Sequence, residues 1–266
     1  MKLENQKDEQ IIYEVLNKLH ESYTNHKYFT DGADSRVFLL NNKYLIKQNN
    51  YQSIKAEIEF FENTFSTFFQ KLVYYPSNFQ FVVYEFIPGK PMKKIISPTE
   101  IISKIIEVSK VFSVSSKPGF GYLGEEFSSW QEFLMHEAFH RQNIDSIDKQ
   151  IVVNAIKSLE EYSFEKKLIH GDFGSHNFIE YDGNFVGIID PQPIIGDPLY
   201  DIIFAICSNV NLLSTYSLDE LSFITNEPKE KIRLMFIVVL YARISRALKY
   251  HPQDIGTYLE YFKSIC

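Results

Sequence analysis

Only two cysteines occur in this 266-residue chain, Cys207 and Cys266. They cannot define a disulfide framework or a zinc site, and their scarcity fits a reducing compartment, the cytoplasm being the expectation. Excess positive charge is missing as well: 27 Lys and Arg face 34 Asp and Glu, a formal net charge of -7. That balance gives no general attraction to nucleic acid or an anionic membrane, and it suits a cationic small molecule better. No apolar stretch approaches the roughly 18 residues of a membrane helix, and Met1 to Gln10 lack the apolar core of a signal peptide. Internal repeats and low-complexity tracts are absent, so no repeat architecture is expected. What is present is a chain 45% hydrophobic and 23% charged. That composition can bury a substantial core, in one large domain or two lobes.

Ile11, Ile12, Val15, Leu16 and Leu19 fall on one helical stripe. Val37 to Leu40 and Tyr44 to Ile46 flank Asn41-Asn42-Lys43 and read as a hairpin; Ser53 to Phe65 carries apolar residues at helical spacing. Lys71 to Tyr75 and Phe79 to Tyr84 are β-rich runs around Pro76-Ser77-Asn78. The sheet pattern then breaks at Pro88-Gly89-Lys90-Pro91, where we place the boundary between an amino-terminal lobe, 1–87, and a carboxy-terminal lobe, 88–266. Beyond it helices are expected at about 98–113, 128–142, 148–162, 198–213, 229–248 and 253–264. A hairpin, 177–181 with 185–189, turns around Asp182-Gly183.

The chemistry concentrates in His170-Gly171-Asp172-Phe173-Gly174-Ser175-His176-Asn177, with Asp190 following an apolar run. A carboxylate, an amide five residues on and a second carboxylate on the next strand are what phosphoryl transfer uses to orient an alcohol and hold Mg²⁺. Asp172 fits the base, and Asn177 and Asp190 fit the hard oxygen ligands. Alone, each would read as a turn or cap residue. In the amino-terminal half, Thr30 to Val37 offers backbone N–H groups and the Ser35 hydroxyl to a triphosphate, with Gly32 as the sole glycine. Lys47 ends a strand and Glu57 lies on the next helix, with Glu59 a competing partner. His136 and His140 share a helix face, but the spacing shows no acid completing a zinc site, and an exposed pair is the better reading.

These motifs resemble the aminoglycoside phosphotransferase and choline kinase-like family, relatives of the protein kinases, over about Gly32 to Asp201. That family's loop runs His-Gly-Asp, four residues, Asn, and its metal aspartate follows a short strand, as Ile188-Ile189-Asp190 does here. The resemblance implies an α+β, bilobal protein-kinase-like fold: a small antiparallel-sheet N-lobe with one main helix and a larger, mostly helical C-lobe. It implies Asp172 as catalytic base, Asn177 and Asp190 as Mg²⁺ ligands, and Lys47 with Glu57 as the phosphate-binding pair. Ser35 would meet phosphate, the Glu85 carbonyl and Ile87 N–H the nucleobase, and Asp201 would fix the catalytic loop.

The sequence departs from protein kinases in having Pro191-Gln192-Pro193 after Asp190 and no activation segment before Gly196-Asp197-Pro198. A peptide platform is therefore missing, which points to a small alcohol as acceptor. The wording of the two motifs resembles kinases of hygromycin or streptomycin, so an aminoglycoside phosphorylated from ATP, or GTP, is the first expectation. Choline, a sugar or an amino alcohol is the alternative acceptor. An inactive nucleotide-binding module and a phosphohydrolase with His170 and Asp172 on a metal are competing classes.

Overall fold

The computed structural model describes residues 6–29, 35–92, 95, 97–140, 144 and 146–266. The chain divides into two compact units, Met1–Pro88 and Gly89–Cys266.

In the first unit, helix α1 (Gln6–Leu19) precedes strands β1 (His26–Phe29), β2 (Arg36–Leu40) and β3 (Tyr44–Gln48). Helix α2 (Tyr51–Asn63) follows, then β4 (Leu72–Tyr74) and β5 (Phe81–Glu85). The five strands form one antiparallel sheet in the order β1-β2-β3-β5-β4. Strand side chains alternate between faces. Phe38, Leu40, Tyr44, Ile46, Phe81 and Val83 pack with Ile11, Ile12 and Val15 of α1 into one buried cluster. Asp8, fully buried on α1, accepts hydrogen bonds there from Tyr28 Oη (2.7 Å), Arg36 Nη2 (2.5 Å) and Gln48 Nε2 (3.1 Å). Helix α2 starts at Asn50, whose side chain accepts from the Ser53 N–H. That bond satisfies one of the open donors of the first turn.

The second unit begins with β6 (Lys90–Pro91), α3 (Pro98–Ser109), β7 (Ser113–Val114), β8 (Gly121–Tyr122), α4 (Trp130–Phe139) and α5 (Lys149–Ser158). Then come β9 (Lys167–Ile169), β10 (Phe178–Tyr181), β11 (Asn184–Ile188) and β12 (Ile194–Gly196). It closes with α6 (Pro198–Cys207), α7 (Leu218–Thr225), α8 (Lys229–Tyr250) and α9 (Ile255–Ile265). Its strands make two small sheets, β11-β10-β6 and β7-β9-β12-β8. Buried along most of its length, α8 packs against α4, α5, α6, α7 and α9. Lys231 on α8 is buried against Asp197 (3.0 Å) and Glu227 (3.0 Å). This ion pair ties α8 to the cap of α6, where the Asp197 side chain accepts from Leu199 N–H.

Several boundaries differ from the sequence reading. The helix expected to reach 113 stops at Ser109, and Ser113–Val114 instead pairs with β9. The one expected to reach 213 stops at Cys207, where the Ser208 hydroxyl turns back to donate to Ala205 O (2.7 Å). Such back-bonding competes with continuation of the helix. Residues 141–142, the expected end of α4, lie outside those described, as do 30–34 of the expected phosphate loop. β1, β6, β7, β8, β12 and α7 were not expected. Among the described residues, no helix is long and apolar enough to cross a membrane.

Candidate active site

The loop between β9 and β10 is built from its backbone outward. Gly171 has φ +78°, and a Cβ there would stand 1.9 Å from the Gln192 carbonyl oxygen, so the position accepts only glycine. Asp201 on α6, fully buried, accepts from His170 N–H (2.7 Å) and Gly171 N–H (3.1 Å). Burial pushes its carboxyl up to about 8, against the pull of those backbone bonds. The Ser208 hydroxyl accepts from Ser175 N–H (2.9 Å), anchoring the far side of the loop. His170 is buried with its Nε2 on the Ile189 carbonyl (3.1 Å), and burial pushes its imidazole down to about 4. A neutral ring donating to that carbonyl locks the loop to the segment that follows β11.

Asp172 emerges from this frame with its side chain 26% exposed. Its Oδ2 accepts from His176 Nε2 (3.0 Å) and Asn177 Nδ2 (3.0 Å). Burial works to raise its pKa, but the hydrogen bond and charge of His176, with the positive Arg246, outweigh it. The carboxyl is held well below its usual range. Asn177 closes a short 3₁₀ turn, Ser175–Asn177, rather than opening β10 as expected. Its amide nitrogen also reaches Asp172 O (2.9 Å) and Asp190 O (3.4 Å), leaving the amide oxygen for another partner. The exposed Asp190 lies two residues beyond β11 with φ +59°, an uncommon conformation for a residue with a side chain. Asn177 thus bridges Asp172 and Asp190.

Two groups here escaped the sequence reading. His176 was given no role, although its place four residues after Asp172 is the signal that it folds back on that carboxylate. Arg246, on α8, has no local signal; its neighbours are Glu137 Oε2 (3.4 Å) and the Phe204 ring (5.3 Å). The structure also supplies the acid thought missing beside His136 and His140. All three residues place a ligand atom within 4.8 Å of one another with Glu137. That carboxylate already meets Arg246 and the Tyr122 hydroxyl (2.7 Å), which compensate its charge.

In the first unit, Lys47 Nζ and Glu57 Oε1 lie 2.5 Å apart, both side chains buried, so Lys47 pairs with Glu57. Glu57 Oε2 accepts from the Tyr84 hydroxyl (2.9 Å), a contact the sequence reading missed. Ser35, half-buried, directly precedes β2 and accepts from Asn49 Nδ2 (3.4 Å). Glu85 is the last residue of β5, one residue beyond the strand expected to end at Tyr84. Its N–H donates to Lys71 O and its carbonyl accepts from Gln70 Nε2 (3.3 Å). Ile87 lies beyond the sheet, half-buried.

No protein-family model and no curated protein matches the chain. Solved structures do. A thermostable variant of aminoglycoside phosphotransferase APH(4)-Ia, in ternary complex with AMP-PNP and hygromycin B, is similar with a TM-score of 0.65 at 16% identity. That match covers 96% of this chain and 97% of the other. APH(2″)-IIIa in complex with GDP and kanamycin is similar with a TM-score of 0.59 at 15% identity, over 96% and 98% of the two chains. The chain therefore has the protein-kinase-like α+β fold of the aminoglycoside phosphotransferases, with antiparallel sheets and a mostly helical second unit.

Proposed function

We propose that the protein is a Mg²⁺-dependent phosphotransferase that moves the γ-phosphate of ATP or GTP to a hydroxyl of a small molecule, with an aminoglycoside as the acceptor. The observation that carries this reading is the Asp172 carboxylate, held ionised by His176 and bridged to Asp190 by the Asn177 amide. An ionised carboxylate orients an acceptor hydroxyl and takes its proton late, when the bond to phosphorus is largely made. Phosphoryl transfer otherwise asks for positioning and charge neutralisation.

The donor set fits magnesium. The Asn177 amide turns its nitrogen toward Asp172 and Asp190 and keeps its oxygen available, and Asp190 adds an exposed carboxylate. Hard oxygen donors of this kind suit Mg²⁺, which when bound neutralises charge developing on the phosphates. In the first unit, Lys47 is assigned to the phosphates with Glu57 as its partner, Ser35 to the loop over them, and the Glu85 carbonyl and Ile87 N–H to the nucleobase edge. The Glu85 carbonyl keeps one lone pair for this beside the Gln70 bond.

The acceptor class is supported by what occupies the similar structures, hygromycin B and kanamycin, with AMP-PNP or GDP. It is supported also by the short path from Asp190 through β12 to α6, which leaves no platform for a peptide. The phosphohydrolase reading fares worse, because His170 is buried with its Nε2 committed to Ile189 O. The test is nucleotide turnover with Mg²⁺ against a panel of aminoglycosides, choline, sugars and amino alcohols. Acceptor-dependent release of ADP or GDP with an aminoglycoside is expected. Turnover with choline or a sugar alone would replace the acceptor class, and no turnover with any acceptor would overturn the reading.

A further inference from the structure

Tyr84 is the residue through which β5 meets the lysine–glutamate pair. In the register of β3 with β5, Lys47 lies opposite Val82 and Leu45 opposite Tyr84, so all four side chains leave the same face of the sheet. Helix α2 approaches that face. Glu57 reaches Lys47 and Tyr84 from it, and the Phe61 ring meets the Tyr84 ring edge-on at 5.0 Å. The phenol is 1% exposed and the Glu57 carboxylate 4%.

Burying an ion pair is expensive, and attraction repays that cost only when the remaining lone pairs are also satisfied. A carboxylate gripped at one oxygen also keeps freedom about its last bond. Here Lys47 takes Oε1 and the Tyr84 hydroxyl donates to Oε2. We propose that Tyr84 is a positioning residue whose hydroxyl fixes the Glu57 carboxylate, so that the Lys47–Glu57 pair stands formed in one arrangement before nucleotide binds. The role has a second consequence. Tyr84 directly precedes Glu85, so one hydroxyl keys the phosphate-binding pair to the strand that leads into the proposed nucleobase-reading residues. This inference rests on the assignment of Lys47 to the triphosphate.

The test is calorimetric titration of the full-length protein with AMP-PNP, and in parallel GMP-PNP, in the presence of Mg²⁺. Tyr84→Phe removes one oxygen and keeps the ring, so the core retains its packing; a melting curve checks this. A lost hydrogen bond to a buried charge weakens nucleotide binding by roughly tenfold. Glu57→Gln weakens it at least as much. The Tyr84→Phe, Glu57→Gln double variant binds no worse than Glu57→Gln alone, because the hydroxyl acts through the acid. Unchanged affinity in Tyr84→Phe, or losses that add in the double variant, would overturn the role. A wild-type protein that binds neither analogue would instead overturn the nucleotide assignment itself, and the role with it.

Discussion

The two units draw their candidate chemistry from opposite kinds of sequence. In the second, His170, Asp172, His176 and Asn177 come from eight consecutive residues, and Asp190 follows on the far side of one hairpin. In the first, Lys47, Glu57 and Tyr84 come from a strand, a helix and another strand, and only sheet register and helix phase bring them together. A loop site is a matter of local backbone: Gly171 permits the turn and Asp201 pins it. A site on a sheet face is a matter of packing, so its residues lose their meaning when read singly.

The largest effect tests the contiguous region. Asp172→Ala leaves the loop's backbone bonds to Asp201 and Ser208 in place, since none uses the Asp172 side chain. Transfer to the acceptor should fall by ~10³-fold, with thermal stability and nucleotide affinity close to wild type. A variant that keeps its turnover would remove Asp172 from the chemistry and leave the loop a scaffold.

The same contrast decides what could be read in advance. The hairpin around Asp182-Gly183 and the amphipathic stripes of α1 and α2 lie in local pattern, and the structure has them at those places. α7 was missed although Ser217 and Glu220 form a capping box, a signal visible in four residues. The two- and three-residue strands β6, β7, β8 and β12 carry no alternation long enough to detect; partners far along the chain define them. Arg246 was out of reach for the same reason, being on a helix more than seventy residues after the aspartate whose ionisation it favours. β5 runs one residue past the expected Tyr84 because the Lys71 carbonyl, in the neighbouring segment, accepts from the Glu85 N–H, a partner that local pattern does not show.

A smaller effect separates the pin from the site. Asp201→Ala leaves the His170 and Gly171 N–H groups without their buried acceptor. Each unmet buried donor costs about 1–3 kcal/mol. The variant also escapes the cost of burying a carboxyl, the same cost that pushes Asp201 up to about 8, so the losses partly cancel. Chemical denaturation should show a net loss of roughly 2 kcal/mol, and turnover should drop about tenfold through loop misplacement. Full activity in a destabilised protein would mean that the loop keeps its shape without the pin.

The smallest expected effect is the most selective test of the first unit. Glu57 and Glu59 are chemically identical and two residues apart on α2, which places their side chains ~200° apart around the helix axis. The buried face of α2 includes Ile54, Ile58, Phe61 and Glu57, while Glu59 is only half-buried. Glu59→Gln should therefore change AMP-PNP affinity by less than about twofold and stability by less than about 0.5 kcal/mol, where Glu57→Gln costs the pair its charge. Equal losses from the two substitutions would mean that the local negative field attracts Lys47, and not a specific carboxylate set by register. The unit would then be as tolerant of helix phase as the loop is dependent on its backbone, and the opposition between the two regions would fail at its dispersed end.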